Sequence, residues 1–149
     1  MDNGQQDKTR LKDTMLLQSE LINAKSPEQF VRDNQESLGL ESVAQYLNSM
    51  LIKYNLEKCD IAKRGGFTGN YTYQIFNGNK SASRDKLIQI AVGFPLSVEE
   101  TQRLLRLGGY SELYVKNSRD AFLMFAIGKG YDIQKINELL YENNYALLE

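Results

Sequence analysis

Residues 84–113 overlay residues 119–148 at a constant offset of 35, without a gap. Arg84-Asp85 falls on Arg119-Asp120, Ala91 on Ala126, Gly93 on Gly128, Leu104-Leu105 on Leu139-Leu140, Tyr110 on Tyr145 and Leu113 on Leu148. The apolar positions between them match as well, at helical spacing. A repeat of this kind predicts two helical hairpins of similar build, each unable to bury its apolar face alone and therefore packed on the other, with a binding groove between hairpins as the alternative reading. The period is close to that of tetratricopeptide arrays, about 34 residues, but two copies are too few and the aromatic pattern of those arrays is missing.

The remainder also reads as helix. Residues 1–10 are polar and are expected to form a frayed tail, while Leu11, Met15, Leu17 and Leu21 suit one short amphipathic helix. Ser26-Pro27-Glu28 combines a capping serine, a proline at the first helical position and an acid in the first turn; the helix it starts is expected to bury Phe30 and Val31 and to end near Gly39. Val43, Leu47, Met50, Leu51 and Tyr54 form a helical stripe closed by Asn55. A brief helix is predicted over Cys59–Arg64, ended by Gly65-Gly66. Ser83 caps another that carries Leu87 to Val92, and Ser97-Val98-Glu99-Glu100 is a capping box. No segment reads as a strand, so the chain is expected to be all-α.

Composition narrows the chemistry. The chain has 149 residues and no histidine, which removes the commonest general base and the commonest metal ligand together. No metal, cofactor or catalytic activity is expected. Its one cysteine, Cys59, excludes an internal disulfide, and it reads as a small buried apolar side chain rather than a redox sensor. No apolar run approaches the ~20 residues of a membrane span, and the acidic start does not resemble a signal peptide, so a cytoplasmic location is expected. Net charge is −1, but it is unevenly spread. Residues 43–94 hold 7 Lys/Arg against 3 Asp/Glu, whereas residues 1–42 hold 5 against 8 and residues 95–149 hold 6 against 8. A basic centre between acidic flanks is a local footprint for a polyanion.

Within that centre, residues 67–86 read FTGNYTYQIFNGNKSASRDK. A phosphate-binding P-loop needs GxxxxGK[ST] after a strand; here Asn79 separates Gly78 from Lys80 and no strand precedes, which excludes it. A helix over Gly69–Asn77 with Thr68 as its N-cap would place Thr72, Ile75 and Phe76 on one side, against the Val43–Tyr54 stripe and Ile61. Asn70, Gln74 and Asn77 would lie opposite, with Tyr73 beside them. Asn and Gln carboxamides match the N6/N7 edge of adenine in a major groove. Lys58, Lys63, Arg64, Lys80, Arg84 and Lys86 surround this segment as candidates to neutralise phosphates.

The run from Leu56 through Ile61-Ala62, Gly66-Phe67-Thr68, Ile75, Gly78 and Leu87–Ala91 resembles the lambda-repressor/Cro-type helix-turn-helix family, over about residues 43–95. The family shows a leucine, then Leu-Ala, then Gly-apolar-Ser/Thr, an apolar residue seven on, Glu-x-Gly and a capped helix, and every spacing is kept. The resemblance implies a lambda-repressor-like domain with N-terminal helices (1–42) before it and a C-terminal helical-hairpin extension (96–149) after it. It implies that the 68–77 segment enters a major groove, with Gly69, Asn70 and Gln74 at the bases; Tyr73, beside them on the same face, is a further candidate for base contact, a tyrosine at this spacing serving either to stack on bases or to clamp a core edge. Lys58, Thr68, Asn77, Asn79, Lys80 and Arg84 would hold phosphates, as would backbone amides near Asn77–Lys80. This chain departs from the family at Lys58, where glutamine is usual, at Gly69, where a base-reading side chain is usual, at Thr72, usually apolar, and at Phe76, where glutamate is common.

The expected function is therefore DNA binding in transcriptional regulation, with double-stranded DNA as partner and a homodimer as the usual working form. The alternative is an adaptor that keeps the fold and binds a protein through the amide-aromatic face or the C-terminal hairpins.

Overall fold

The computed structural model describes residues 13–34 and 41–149. Among these it is all-helical: α1 (Thr14–Asn23), α2 (Pro27–Asp33), α3 (Val43–Tyr54), α4 (Lys58–Gly65), α5 (Tyr71–Phe76), α6 (Arg84–Gly93), α7 (Val98–Leu107), α8 (Ser118–Gly128) and α9 (Ile133–Glu142). No described helix is long and apolar enough to cross a membrane. The chain divides into two compact units, Met1–Leu40 and Glu41–Glu149.

In the first unit, Asp13 caps α1 through a 2.8 Å bond from the Leu16 amide, and Ser26 caps α2 with Pro27 following. Phe30 is buried as expected, but Val31 is exposed and α2 ends at Asp33, earlier than Gly39. The reason is geometric: adjacent residues on a helix point about 100° apart, so one narrow buried face takes Phe30 and leaves Val31 outside. The expected frayed tail, Leu11 and Gly39 lie outside the described residues.

In the second unit, Ser42 and Gln45 form a reciprocal capping box at the start of α3, and Asn55 closes it in the left-handed conformation (φ 52°). Asp60 bonds back to the Glu57 amide at 2.9 Å to start α4, which ends at Gly66 (φ 74°). Cys59 is exposed, not buried: Ile61, two residues on and so about 200° around the helix, is fully buried, which leaves the thiol on the solvent side. Helix α6 is the centre of the core, with Leu87, Ile88, Ile90 and Ala91 all at 1% exposure or less. It lies so close to α4 that a Cβ at Gly93 would sit 2.9 Å from the Ile61 carbonyl oxygen, so glycine is required there.

The repeat appears in three dimensions at the same offset. Helices α6 and α8 both end at the paired glycines, and α7 and α9 occupy equivalent residues. The Gln102 carboxamide makes two bonds to the Leu113 backbone (2.9 and 2.7 Å), and Asn137 does the same with Leu148 (2.9 and 2.8 Å). Arg84 reaches across to Asp120, and Arg119 reaches back to Asp85, each through two hydrogen bonds of 2.9–3.1 Å. Each arginine also bonds its own repeat's closing segment, at the Ser111 and Ala146 carbonyls. The two hairpins are thus tied by a reciprocal pair of forks. Segments 43–95 and 96–149 share one continuous core, since Leu104, Leu123, Ile136 and Leu140 join Leu47 and Ile61 in the same cluster.

Candidate functional site

Helix α4, the turn 66–70 and helix α5 form the segment with the chemistry of interest. The helix expected over Gly69–Asn77 with Thr68 as cap is shorter: it starts at Tyr71, and Asn70 occupies the cap position without a side-chain bond to the helix. Gly69 sits at φ +66°, a left-handed conformation that no α-helical turn can include, and this delays the start. The division into faces is as the spacing predicts. Thr72, Ile75 and Phe76 are buried at 0–2% exposure, against α3 and α4. Asn70, Tyr73 and Gln74 are exposed on the other side, together with Thr68 and Gly69 before them. Thr72 pairs burial with polarity: its hydroxyl has no hydrogen-bond partner.

The back of α5 is fixed firmly. Asn48 donates to the Phe76 carbonyl at 2.9 Å, and Lys58 at the start of α4 donates to the Asn77 side-chain oxygen at 3.0 Å. Phe67 and Tyr71 stack across the turn with ring centres 5.7 Å apart. The Lys80 ammonium lies 4.9 Å from the Tyr71 ring centre, and Lys86 lies over both rings. Burial and the neighbouring Tyr110 push the Tyr71 phenol up, so it stays neutral near pH 7.

Two of the groups expected at phosphates already have partners within the fold. The backbone amides of Asn77, Gly78, Asn79 and Lys80 do not point outward. They donate to the carbonyls of Tyr73, Ile75 and Gln74 at 2.9–3.3 Å, because the chain folds back over the end of α5 and satisfies its own last carbonyls. Arg84 is also otherwise engaged: its guanidinium makes four bonds, to the Ser111 and Glu112 carbonyls and both Asp120 oxygens. The reciprocal Arg–Asp geometry needs it there. Burial alone would raise Asp120, but the hydrogen bonds from Arg84 and the Tyr114 amide outweigh it and hold the carboxyl below its usual range. Of the side chains expected at phosphates, Lys58, Thr68, Asn77, Asn79 and Lys80 remain at the surface of this segment, Lys58 half-buried.

Glu100 anchors the other side of α3. It caps α7, accepts from Lys53 at 2.7 Å and from the Tyr54 hydroxyl, and the Tyr46 hydroxyl bonds its carbonyl at 3.1 Å. Burial would raise its carboxyl, yet the bonds from Lys53 and Tyr54 bring it down to about 2, and Tyr54 is pushed up to about 12 by the same bond. The sequence marked Glu100 only as a helix cap.

Residues that sequence reasoning did not single out sit beside the turn. A cleft of ≈ 460 Å³ opens between Gly66–Thr68 and the start of α9, with Lys86 and Gln89 of α6 among its walls. Gln89 is buried and bonds the Gly65 carbonyl at 2.5 Å. Ile133 lies 3.9 Å from where a Gly66 Cβ would be. Only the repeat offset could have hinted that α9 returns to this place.

No protein-family model matches the chain, and no curated protein or solved structure compared with it is similar.

Proposed function

We propose that the chain is a double-stranded DNA-binding regulator of transcription, with α4, the 66–70 turn and α5 acting as a helix-turn-helix of the lambda-repressor/Cro type. The observation that carries this reading is the asymmetry of α5: three side chains fully packed, and a bare face of Asn70, Tyr73 and Gln74 within residues 43–94, where 7 Lys/Arg stand against 3 Asp/Glu. Asn70 and Gln74 would meet base edges from Thr68–Asn77 in a major groove, while Lys58, Lys80, Thr68 and Asn79 fix register on phosphates. Asn77 would position Lys58 through their hydrogen bond. Gly69 contributes closeness of backbone approach rather than a side-chain reader. A dimer on spaced half-sites, in the cytoplasm, is the working form this reading favours.

An electrophoretic shift with random duplexes at ~50 mM salt, followed by selection of a bound sequence, tests it. Affinity should fall steeply as salt rises. Lys58→Ala and Lys80→Ala should each reduce the salt slope by about one, whereas Gln74→Ala should relax sequence choice at a cost of about 1–3 kcal/mol. Absence of any shift at low salt would end the proposal. A second reading, a protein-binding adaptor, is favoured by the exposed Tyr114, Val115, Phe125 and Tyr141 of the second hairpin region. It predicts no shift and a stoichiometric protein in a pull-down.

A further inference from the structure

We propose that the cleft between the 66–68 turn and α9 binds a small organic monoanion with a flat apolar body. At ≈ 460 Å³ it falls in the size range of small-molecule sites. It is walled by the turn with Phe67 and Thr68, Tyr71 at the start of α5, Lys86 and Gln89 of α6, Ile133 and Asn137 of α9, and the closing segment with Leu148. The apolar surfaces are Phe67, Tyr71, Ile133 and Leu148.

Lys86 supplies the charge. Its ammonium lies 5.5 and 5.9 Å from the Phe67 and Tyr71 ring centres, and its polar contact is a long 3.4 Å approach to Gln89. Lys80 stands on the same Tyr71 ring. Neither lysine has a carboxylate partner among the described residues, whereas Lys53, Arg84, Arg103, Arg106 and Arg119 each have one. Lys86 stands against two aromatic rings at the cleft wall, where an anion is its natural counterpart; Lys80, on the same Tyr71 ring, lines a separate cavity with Ala44 and Tyr110. Glu149 also lines the cleft and repels any anion, so the ligand's charge must lie toward Lys86 and away from it; the single ammonium there matches a single carboxylate. The chemistry fits an aryl or alicyclic carboxylate, its body against Ile133 and Leu148 and its charge toward Lys86.

Because the cleft joins α9 to the residues that lead into α5, occupancy would brace the turn. A role as effector site rests on the DNA-binding reading; the binding itself does not.

The test uses the full chain without DNA, titrated with naphthalene-2-carboxylate, its neutral amide and inorganic phosphate while backbone amides are followed by NMR. Expected are saturable shifts at Gly66, Phe67 and Ile133 with the carboxylate, and at least about tenfold weaker binding of the amide. Lys86→Met keeps the packing over the rings and should weaken the carboxylate about tenfold; Ile133→Ala, on the opposite wall, is the independent variant and should weaken both organic probes. No saturation at millimolar carboxylate, equal binding of the neutral amide, equal binding of phosphate, or an unchanged affinity in Lys86→Met would each overturn the site. A separate duplex titration, run with and without saturating carboxylate, reads the effector role: unchanged duplex affinity would overturn that role while leaving the site, and absence of duplex binding in both arms would count against the DNA reading alone.

Discussion

The two hairpins share a scaffold and differ in their burden. Both carry the arginine fork, the carboxamide that holds a leucine backbone, and the same turn bonds, such as Leu96 to Ala91 at 2.8 Å and Tyr131 to Ala126 at 3.0 Å. At the equivalent outward positions they diverge. Ile90 is fully buried, while its counterpart Phe125 is 54% exposed. Glu100 is tied to α3, while its counterpart Lys135 lies 3.8 Å over the Tyr131 ring. The repeated residues hold hairpin to hairpin; the unrepeated ones record what else each hairpin must support, and it is the first whose helices α6 and α7 pack on α4 and α3.

The sharpest break in this comparison is Gly93→Ala. The new Cβ would lie 2.9 Å from the Ile61 carbonyl and 3.3 Å from the Gly65 amide nitrogen, both backbone atoms that cannot rotate aside. Pushing α4 off α6 should cost about 3 kcal/mol by urea denaturation. If α5 is the DNA-reading element, duplex affinity should drop with it. A cost below about 1 kcal/mol would mean the α4–α6 approach is looser than described.

Next in size is the asymmetry of the forks. Arg84→Met leaves Asp120, 6% exposed, without its guanidinium; Arg119→Met leaves Asp85, whose side chain is 39% exposed and can be hydrated. The first should cost about 2 kcal/mol and the second about 1, reduced from fully buried values because solvent reaches both pairs. Equal costs in chemical denaturation would contradict the unequal burial. Adding Asp120→Asn to Arg84→Met should recover part of the loss, since the stranded charge is then gone.

Much of this was legible in sequence, because it depends on local rules. The capping serines 26, 83 and 97, Asn55 as the stop of α3 and the buried side of α5 follow from spacing and side-chain chemistry alone, whereas the Ser42 cap was not read. The 35-residue offset announced two like hairpins, though not that Arg84 and Arg119 would cross to each other's aspartates, since a repeat gives composition and not the symmetry relating its copies. The partners of Arg84 within the fold were not foreseen for that reason. The amides after α5 were misread because a glycine-rich stretch suits both an anion cradle and a closed cap; the carbonyls at the helix end decided the matter. Cys59 followed the average for its residue type, and its position on a short helix overrode the average.

A smaller effect separates Glu100 from Lys135 by pH. The Glu100 carboxyl falls from its ordinary 4.5 to about 2 in the folded chain. Its stabilisation is therefore complete above the unfolded value and is lost as pH falls through the folded one. Glu100→Gln should cost about 1 kcal/mol at pH 7, discounted because Lys53 is exposed to solvent and salt, and the variant and parent should converge toward pH 2. Asp120, also held low, adds acid sensitivity of the same sign to both proteins. Lys135→Gln should leave the acid limb unchanged. Parallel acid curves for Glu100→Gln and the parent would remove Glu100 as the tie between α7 and α3.

The smallest effect reverses sign. Gly128 is the repeat partner of Gly93, ends α8, and is exposed. A Cβ there would meet only Val98 Cγ2, at 3.9 Å, an ordinary contact. Its backbone is helical, so alanine fits the native conformation while restricting the unfolded chain. Gly128→Ala should therefore stabilise by about 0.5 kcal/mol, the lower part of the range for helical sites because this one lies in the last turn. The pair Gly93→Ala and Gly128→Ala, identical in chemistry and equivalent in the repeat, should move urea midpoints in opposite directions. Destabilisation of both by similar amounts would show that the glycines serve the hairpin itself, and the account of the first hairpin as the one shaped by α4 would fall.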